Sequence, residues 1–286
     1  MMDLRMIRKL VSEIDPAISV LDAKPFQSEE DGNEYQVWKL ATNIGASVLK
    51  KADLREQETY AGFFFKSGPV PKVTGLYKEW MLMEYIPGHT LSRCCREDLI
   101  LVLDALIESQ RTYWNRNDLS HIGYGFEKSY PNREKRLDYM EDLAGCYEVY
   151  LECFRTVPRT LCNDDLLPFN IIISGNRAVF LDWEFGGILP YPCSLARMLA
   201  YGEEDENALF YMKREDQLFA VEYYYEHLVC QMGIPYDEYI RTMKLFFFKE
   251  YSEWIYCANS SGDFSGEYYA KYSVMARKLA TELGYA

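Results

Sequence analysis

Residues Leu161 to Gly187 read Leu-Cys-Asn-Asp-Asp-Leu-Leu-Pro-Phe-Asn-Ile-Ile-Ile-Ser-Gly-Asn-Arg-Ala-Val-Phe-Leu-Asp-Trp-Glu-Phe-Gly-Gly. Two short apolar runs, Ile171–Ser174 and Ala178–Leu181, flank Gly175-Asn176, a pattern that predicts a β-hairpin. A tight hairpin folds its outer ends together, so Asn170 and Asp182 are expected side by side. Asp165 lies on the loop that leads in. An aspartate, an asparagine and a second aspartate gathered in this way make an oxygen-rich site suited to magnesium, which keeps some waters and also takes substrate phosphate oxygens. A surface hairpin with polar ends is the plainer reading. It does not account for three such groups at this spacing.

Upstream of the hairpin, apolar residues at helical period mark Arg5–Ile14, stopped by Asp15-Pro16. Alternation over Tyr35–Leu40, a turn at Thr42–Gly45 and the run Ala46–Lys51 predict a second hairpin. Leu54–Phe65 reads as a helix with acidic residues in its first turn, and Glu79–Ile86 as a buried strand broken by Pro87-Gly88. From Ser92 the texture turns helical. Leu99, Val102, Leu103, Leu106 and Ile107 form an amphipathic stripe, and helices are expected at Leu137–Phe154, Ser194–Tyr201, Asp216–Met232, Tyr236–Ala258 and Gly266–Leu283. The layout is a strand-rich N-terminal part and a larger helical part carrying one inserted hairpin.

Composition bounds the function classes. The 286 residues, 49% hydrophobic and 26% charged, suit one large domain or two modest ones. A net charge of −13 argues against nucleic acid or an anionic membrane as the main partner and is compatible with a cationic substrate. The eight cysteines are scattered, without a Cys-x-x-Cys pair or a zinc pattern, and read as reduced thiols. The N-terminus lacks the features of a signal peptide and no run reaches the length of a membrane span. The default expectation is cytoplasmic.

The lobe order and the central segment resemble the aminoglycoside phosphotransferase and choline kinase-like group, relatives of the protein kinases. The family's catalytic loop, roughly His-Gly-Asp-x-x-x-x-Asn, corresponds to Asn163–Asn170, and its metal motif to Asp182-Trp183-Glu184. The resemblance covers most of the chain in layout and is specific between Leu161 and Gly187. It implies an α+β, two-lobed protein-kinase-like fold, with residues 1–87 a nucleotide-binding lobe and 88–286 a helical lobe holding the catalytic loop and acceptor site. It also implies ATP and Mg2+, Asp165 as the base that orients or deprotonates an acceptor hydroxyl, and Asn170 and Asp182 as metal ligands. Glu184 then either supports the metal site from behind or caps the following turn.

The same resemblance calls for a strand lysine on the α- and β-phosphates, fixed by a helix glutamate. Lys50 fits the family spacing, while alternation puts Lys51 on the opposite face. Glu56 is preferred to Glu58 because Tyr60 and Phe63 follow it at i+4 and i+7. Met83-Glu84-Tyr85-Ile86 is the implied adenine hinge, with Glu84 and Ile86 among the residues whose backbone meets the purine. Gly32 is the lone glycine of the nucleotide loop. The chain departs from the family at Asn163 and Asp164, which replace the usual histidine and the residue after it. It departs again at Ser194, near which an aspartate is common.

The implied acceptor is a small hydroxyl compound, either aminoglycoside or choline/ethanolamine-like. The aromatic and acidic last third, from Glu222 and Tyr223 to Trp254 and Tyr256, suits a cation. Most of those rings are equally expected in the core, with Phe247, Tyr251 and Trp254 on one stripe. A non-catalytic nucleotide-binding or scaffolding relative is the alternative, motivated by Asn163 and the sparse glycine loop. A metal-dependent hydrolase leaves Lys50 and Glu56 unexplained.

Overall fold

The computed structural model describes residues 2–27, 34–64 and 68–285. Gly32 and Phe65 lie outside the described residues. Helix α1 (Leu4–Ile14) starts at Asp3, whose Oδ1 accepts the Met6 amide at 2.8 Å, satisfying a donor that the first turn leaves open. It ends at Asp15, ahead of Pro16. The strands β1 (Val20–Gln27), β2 (Glu34–Thr42), β3 (Gly45–Lys51), β4 (Val73–Tyr77) and β5 (Trp80–Glu84) form one antiparallel sheet in the order β1-β2-β3-β5-β4.

Register fixes which side chains reach the site. Trp38, Leu49 and Leu82 lie opposite one another across β2, β3 and β5 and pack with Ile7 and Val11 of α1. Lys50, one residue on, therefore faces the other side. Helix α2 (Leu54–Phe63) covers that side, capped by Asp53, whose Oδ1 accepts the Glu56 amide at 2.9 Å. Its buried residues Glu56, Thr59, Tyr60 and Phe63 fall at i, i+3, i+4 and i+7.

A two-residue strand, β6 (His89–Thr90), follows the break at Pro87-Gly88. A Cβ on Gly88 would lie 2.1 Å from the Ile173 carbonyl, so only glycine allows this approach. The main core is built from α3 (Arg96–Thr112), α4 (Phe126–Glu134), α5 (Ala144–Thr156), α6 (Pro192–Leu199), α7 (Arg214–Tyr224), α8 (Tyr236–Ser261) and α9 (Glu267–Leu283). The expected helix Leu137–Phe154 begins only at Ala144, after two 3-10 turns. The expected Asp216–Met232 helix leaves α geometry at Tyr225, and Gly233 at φ +80 closes it.

The expected single hairpin is part of a larger strand system. Strands β8 (Ile171–Ser174) and β9 (Arg177–Phe180) pair around Gly175, at φ +60, and β6 adds to the edge of β8. A separate ladder joins β7 (Arg159–Asn163) to β10 (Gly186–Pro190), with Asn163 opposite Gly186. The catalytic-loop candidate thus leaves one ladder and enters the other. All eight cysteines are free thiols. Among the described residues, no helix is long and apolar enough to cross a membrane.

Candidate active site

The loop between β7 and β8 is held by its own asparagines. The Asn163 side chain donates to the Asp182 carbonyl at 2.8 Å and the Leu181 carbonyl at 3.3 Å, while its Oδ1 accepts the Asp165 amide at 2.9 Å. Asn163 is completely buried. The Ser194 hydroxyl on α6 accepts the Asn163 amide at 2.8 Å and donates to its carbonyl at 3.1 Å. The two departures, Asn163 and Ser194, are therefore bonded to each other and hold the loop to the segment after β9. Asn170 Nδ2 donates to the Asp165 carbonyl at 2.8 Å, and the Leu181 amide bonds the Asn170 carbonyl at 2.8 Å. The hairpin does bring its ends together.

Asp164 is part of the interior. It pairs with Arg133 of α4, which also donates to the Tyr150 hydroxyl at 2.9 Å. Burial disfavours the Asp164 carboxylate, but the charges of Arg133 and Lys249 outweigh it and hold the pKa down at about 2. Asp165 points elsewhere. Its Oδ1 accepts from Arg197 Nη2 at 2.7 Å and Nε at 3.2 Å. Burial raises the Asp165 pKa, Arg197 opposes that rise, and Asp182 and Asp164 add to it.

Lys50 Nζ lies 2.7 Å from Glu56 Oε1 and 2.8 Å from Asp182 Oδ1. Burial works against its charge, but the two carboxylates outweigh burial and raise its pKa. Lys51 reaches only the exposed Glu79 at 3.5 Å, and Glu58 pairs with Lys128 at the surface. Glu56, 2% exposed, also accepts the Trp183 amide at 3.3 Å. Asp182 adopts φ +54, a left-handed conformation that costs a non-glycine on the order of 1 kcal/mol. Its carbonyl and carboxylate are held by Asn163 and Lys50 respectively. Glu184 meets Arg55 of α2 at 2.5 Å.

In the segment expected as the hinge, the Glu84 amide bonds the Lys72 carbonyl at 2.9 Å, and its carboxylate pairs with Arg177 at 3.1 Å. The Glu84 side chain is thus engaged with the β8–β9 hairpin. Ile86 is buried just beyond β5. The donor set suits a hard cation. Asn170 commits its nitrogen to Asp165 and keeps Oδ1, and Asp182 commits Oδ1 to Lys50 and keeps Oδ2. Among the described residues, no cluster of three or more His, Cys, Asp or Glu forms an all-protein cage. Two oxygens supplemented by phosphate and water are the pattern Mg2+ accepts.

In the expected aromatic and acidic cluster the rings are buried or partly buried against the core, while Glu222 and Glu226 are exposed. Tyr224, Phe246, Phe248 and Tyr251 are buried. Glu250 pairs with Arg197 at 2.9 Å and Lys249 at 3.1 Å, and Glu253 pairs with Arg136 and Lys249. Arg197, Arg133 and Arg55 are additions to the expected set. The signal for Arg197 was present: it is the single charge in Pro192–Leu199, a helix whose other residues are all buried. A lone charge in such a helix needs a buried partner.

The family model described as the phosphotransferase enzyme family matches residues 22–227. Three solved structures overlie nearly the whole chain. Choline kinase LicA from Streptococcus pneumoniae is 15% identical, with TM-score 0.62, and the match covers 97% of this chain and 98% of that one. A putative fructosamine-3-kinase from Thermobifida fusca YX-ER1 is 14% identical, with TM-score 0.63, covering 99% and 100%. A thermostable mutant of aminoglycoside phosphotransferase APH(4)-Ia is 13% identical, with TM-score 0.60, covering 98% and 100%. These likenesses are of fold, and the fold is the protein-kinase-like α+β architecture expected. No curated protein sequence matches the chain.

Proposed function

This chain belongs to the phosphotransferase enzyme family, and from that premise we propose that it transfers the γ-phosphate of ATP to a hydroxyl of a small, cationic molecule. The observation that carries this reading is the convergence of Lys50, Glu56 and Asp182 at 2.7–2.8 Å, from positions 6 and 132 residues apart. A hydrolase built on the acidic cluster alone needs neither the lysine nor its glutamate.

Residues 1–87 are proposed as the nucleotide-binding lobe and 88–286 as the lobe that binds the acceptor. Lys50, fixed by Glu56, would donate to the α- and β-phosphates, and backbone groups of Glu84 and Ile86 would meet the adenine. Asn170 Oδ1 and Asp182 Oδ2 would hold Mg2+, which when bound neutralises charge on the phosphate oxygens. Asp165 would accept the hydrogen bond of the acceptor hydroxyl through Oδ2, because Oδ1 is taken by Arg197. This orients the hydroxyl oxygen toward phosphorus and gives its proton a destination.

The bonds of Asn163 support this reading over a non-catalytic nucleotide-binding relative, because an asparagine at this position both donates and accepts as a scaffold must. Glu250 and Glu253 are already matched by Arg197, Lys249 and Arg136, so a cation on the acceptor would be met by other groups. An acceptor screen with purified protein, ATP and Mg2+ is the direct test, with choline, ethanolamine, fructosamines and several aminoglycosides. Phosphorylation of one class, lost in Asp165→Asn and Asp182→Asn, is expected. Undiminished turnover by those variants would overturn the roles of both aspartates.

A further inference from the structure

We propose that Arg197 is a positioning residue for phosphoryl transfer, clamping one oxygen of Asp165 so that the other faces the acceptor hydroxyl. The inference rests on the kinase reading of the site. Asp165 is fixed through its backbone from two sides, by Asn163 on its amide and Asn170 on its carbonyl. Neither contact sets the torsions of the carboxyl group. Among the described residues only Arg197 hydrogen-bonds the carboxylate, at 2.7 and 3.2 Å on the same oxygen.

The clamp is itself anchored. Arg197 Nη1 donates to Glu250 Oε2 at 2.9 Å and reaches the Tyr201 hydroxyl at 3.3 Å. Tyr201 in turn donates to the Glu250 carbonyl at 2.9 Å. Glu250 is 2% exposed and accepts Lys249 on its other oxygen at 3.1 Å. One edge of the guanidinium is thereby tied to α8 and the other is presented to the loop. The segment Asp165–Asn170 contains no cation of its own, so the charge must come from α6. The planar fork holds Nε and Nη2 on Asp165 in fixed relation to Nη1 on Glu250, so the direction of the Asp165 carboxyl is set as well as its charge balanced.

Kinetics of Arg197→Met and Arg197→Lys with the acceptor found by the screen test this assignment. Misplacing the reacting oxygens by about 1 Å costs on the order of a hundredfold in rate. For Arg197→Met, kcat is therefore expected to fall about a hundredfold while KM for ATP stays within about threefold. Arg197→Lys should recover part of the loss, and millimolar guanidinium ion should rescue Arg197→Met. Should Arg197→Met fail to fold, Glu250→Gln keeps Arg197 but loosens its anchor, and a smaller fall in kcat at unchanged KM for ATP is expected. An unchanged kcat in these variants overturns the proposal, as does equal loss of ATP binding and turnover without rescue. A crystal structure of Arg197→Met, or of Glu250→Gln, separates the two levels of inference. A rotated Asp165 carboxyl upholds the clamp even where the wild type phosphorylates nothing, and in that case the kinase reading is what fails. An unmoved carboxyl overturns the clamp.

Discussion

Asn163 carries at one position the work of joining the catalytic-loop candidate to the segment after β9. Removing its side chain leaves the part-buried Asp165 amide and Asp182 carbonyl without these partners. A buried polar group stranded in this way costs about 1–3 kcal/mol, so Asn163→Ala is expected to lose about 2–4 kcal/mol in a urea melt. Lys50 has a different signature. It sits between Glu56 and Asp182, so Lys50→Met removes the charge that balances both. The proposed role predicts a rise in KM for ATP together with a fall in kcat of about a hundredfold, in contrast to the kcat-only effect at Arg197. Steady-state kinetics of the variants distinguish the two. Strand alternation and helix period separate the faces of Lys50 from Lys51 and of Glu56 from Glu58, but the need for such a pair, and the spacing that picks Lys50, came from the family resemblance. Their meeting with Asp182, 132 residues away, was legible only through the family resemblance.

The elements found in the sequence are those whose burial follows a single period. Helix α3 buries Leu99, Val102, Leu103, Leu106 and Ile107, and its stripe needs no tertiary knowledge to see. Strand β1 shows no clean alternation because α1 covers only its first residues, and Val20 is its one buried residue. Helix α4 reads Phe-Glu-Lys-Ser-Tyr-Pro-Asn-Arg-Glu, with Pro131 inside and Arg133 buried, and its composition argues against a helix at all. It is held because Arg133 reaches Asp164, a contact that no local rule contains. That contact has a measurable consequence. The folded pKa of Asp164, about 2, lies below its ordinary 3.8. Its stabilisation is complete above about pH 4 and is lost as pH falls toward 2, a contribution of about 2 kcal/mol. Acid titration of the unfolding free energy should show this loss in the wild type. In Asp164→Asn the protein should be less stable at pH 7 by about 3–5 kcal/mol, since Arg133 is left buried and unpaired, and that part of the acid slope should be absent.

At the scale of the whole molecule, α2 and the end of β3 touch the segment after β9. Lys50 and Glu56 reach Asp182 and Trp183, Arg55 reaches Glu184, and the Thr59 hydroxyl lies 3.2 Å from the Gly186 carbonyl. Phe64 at the end of α2 packs its ring 4.6 Å from that of Trp183. The nucleotide-binding and metal-binding groups of the proposed site are therefore one connected assembly, and occupancy by nucleotide should be felt as stability of the whole chain. A ligand held at one hundred times its Kd adds about 2.7 kcal/mol. Thermal melts with ATP and Mg2+ are expected to show a clear rise in Tm. Adding EDTA should remove most of that rise, because without the metal the phosphates and the Asp182 and Glu56 carboxylates would compete for the single charge of Lys50. Asp182→Asn removes the carboxylate that would hold the metal, so its nucleotide-induced shift should be smaller and nearly indifferent to EDTA. Arg55→Ala provides the control for mere loosening of α2. The Arg55–Glu184 pair is about a third exposed, and such pairs contribute at most about 1 kcal/mol, so this variant should keep the EDTA sensitivity of the wild type. An Asp182→Asn shift that remained as EDTA-sensitive as the wild type would place the metal on other residues.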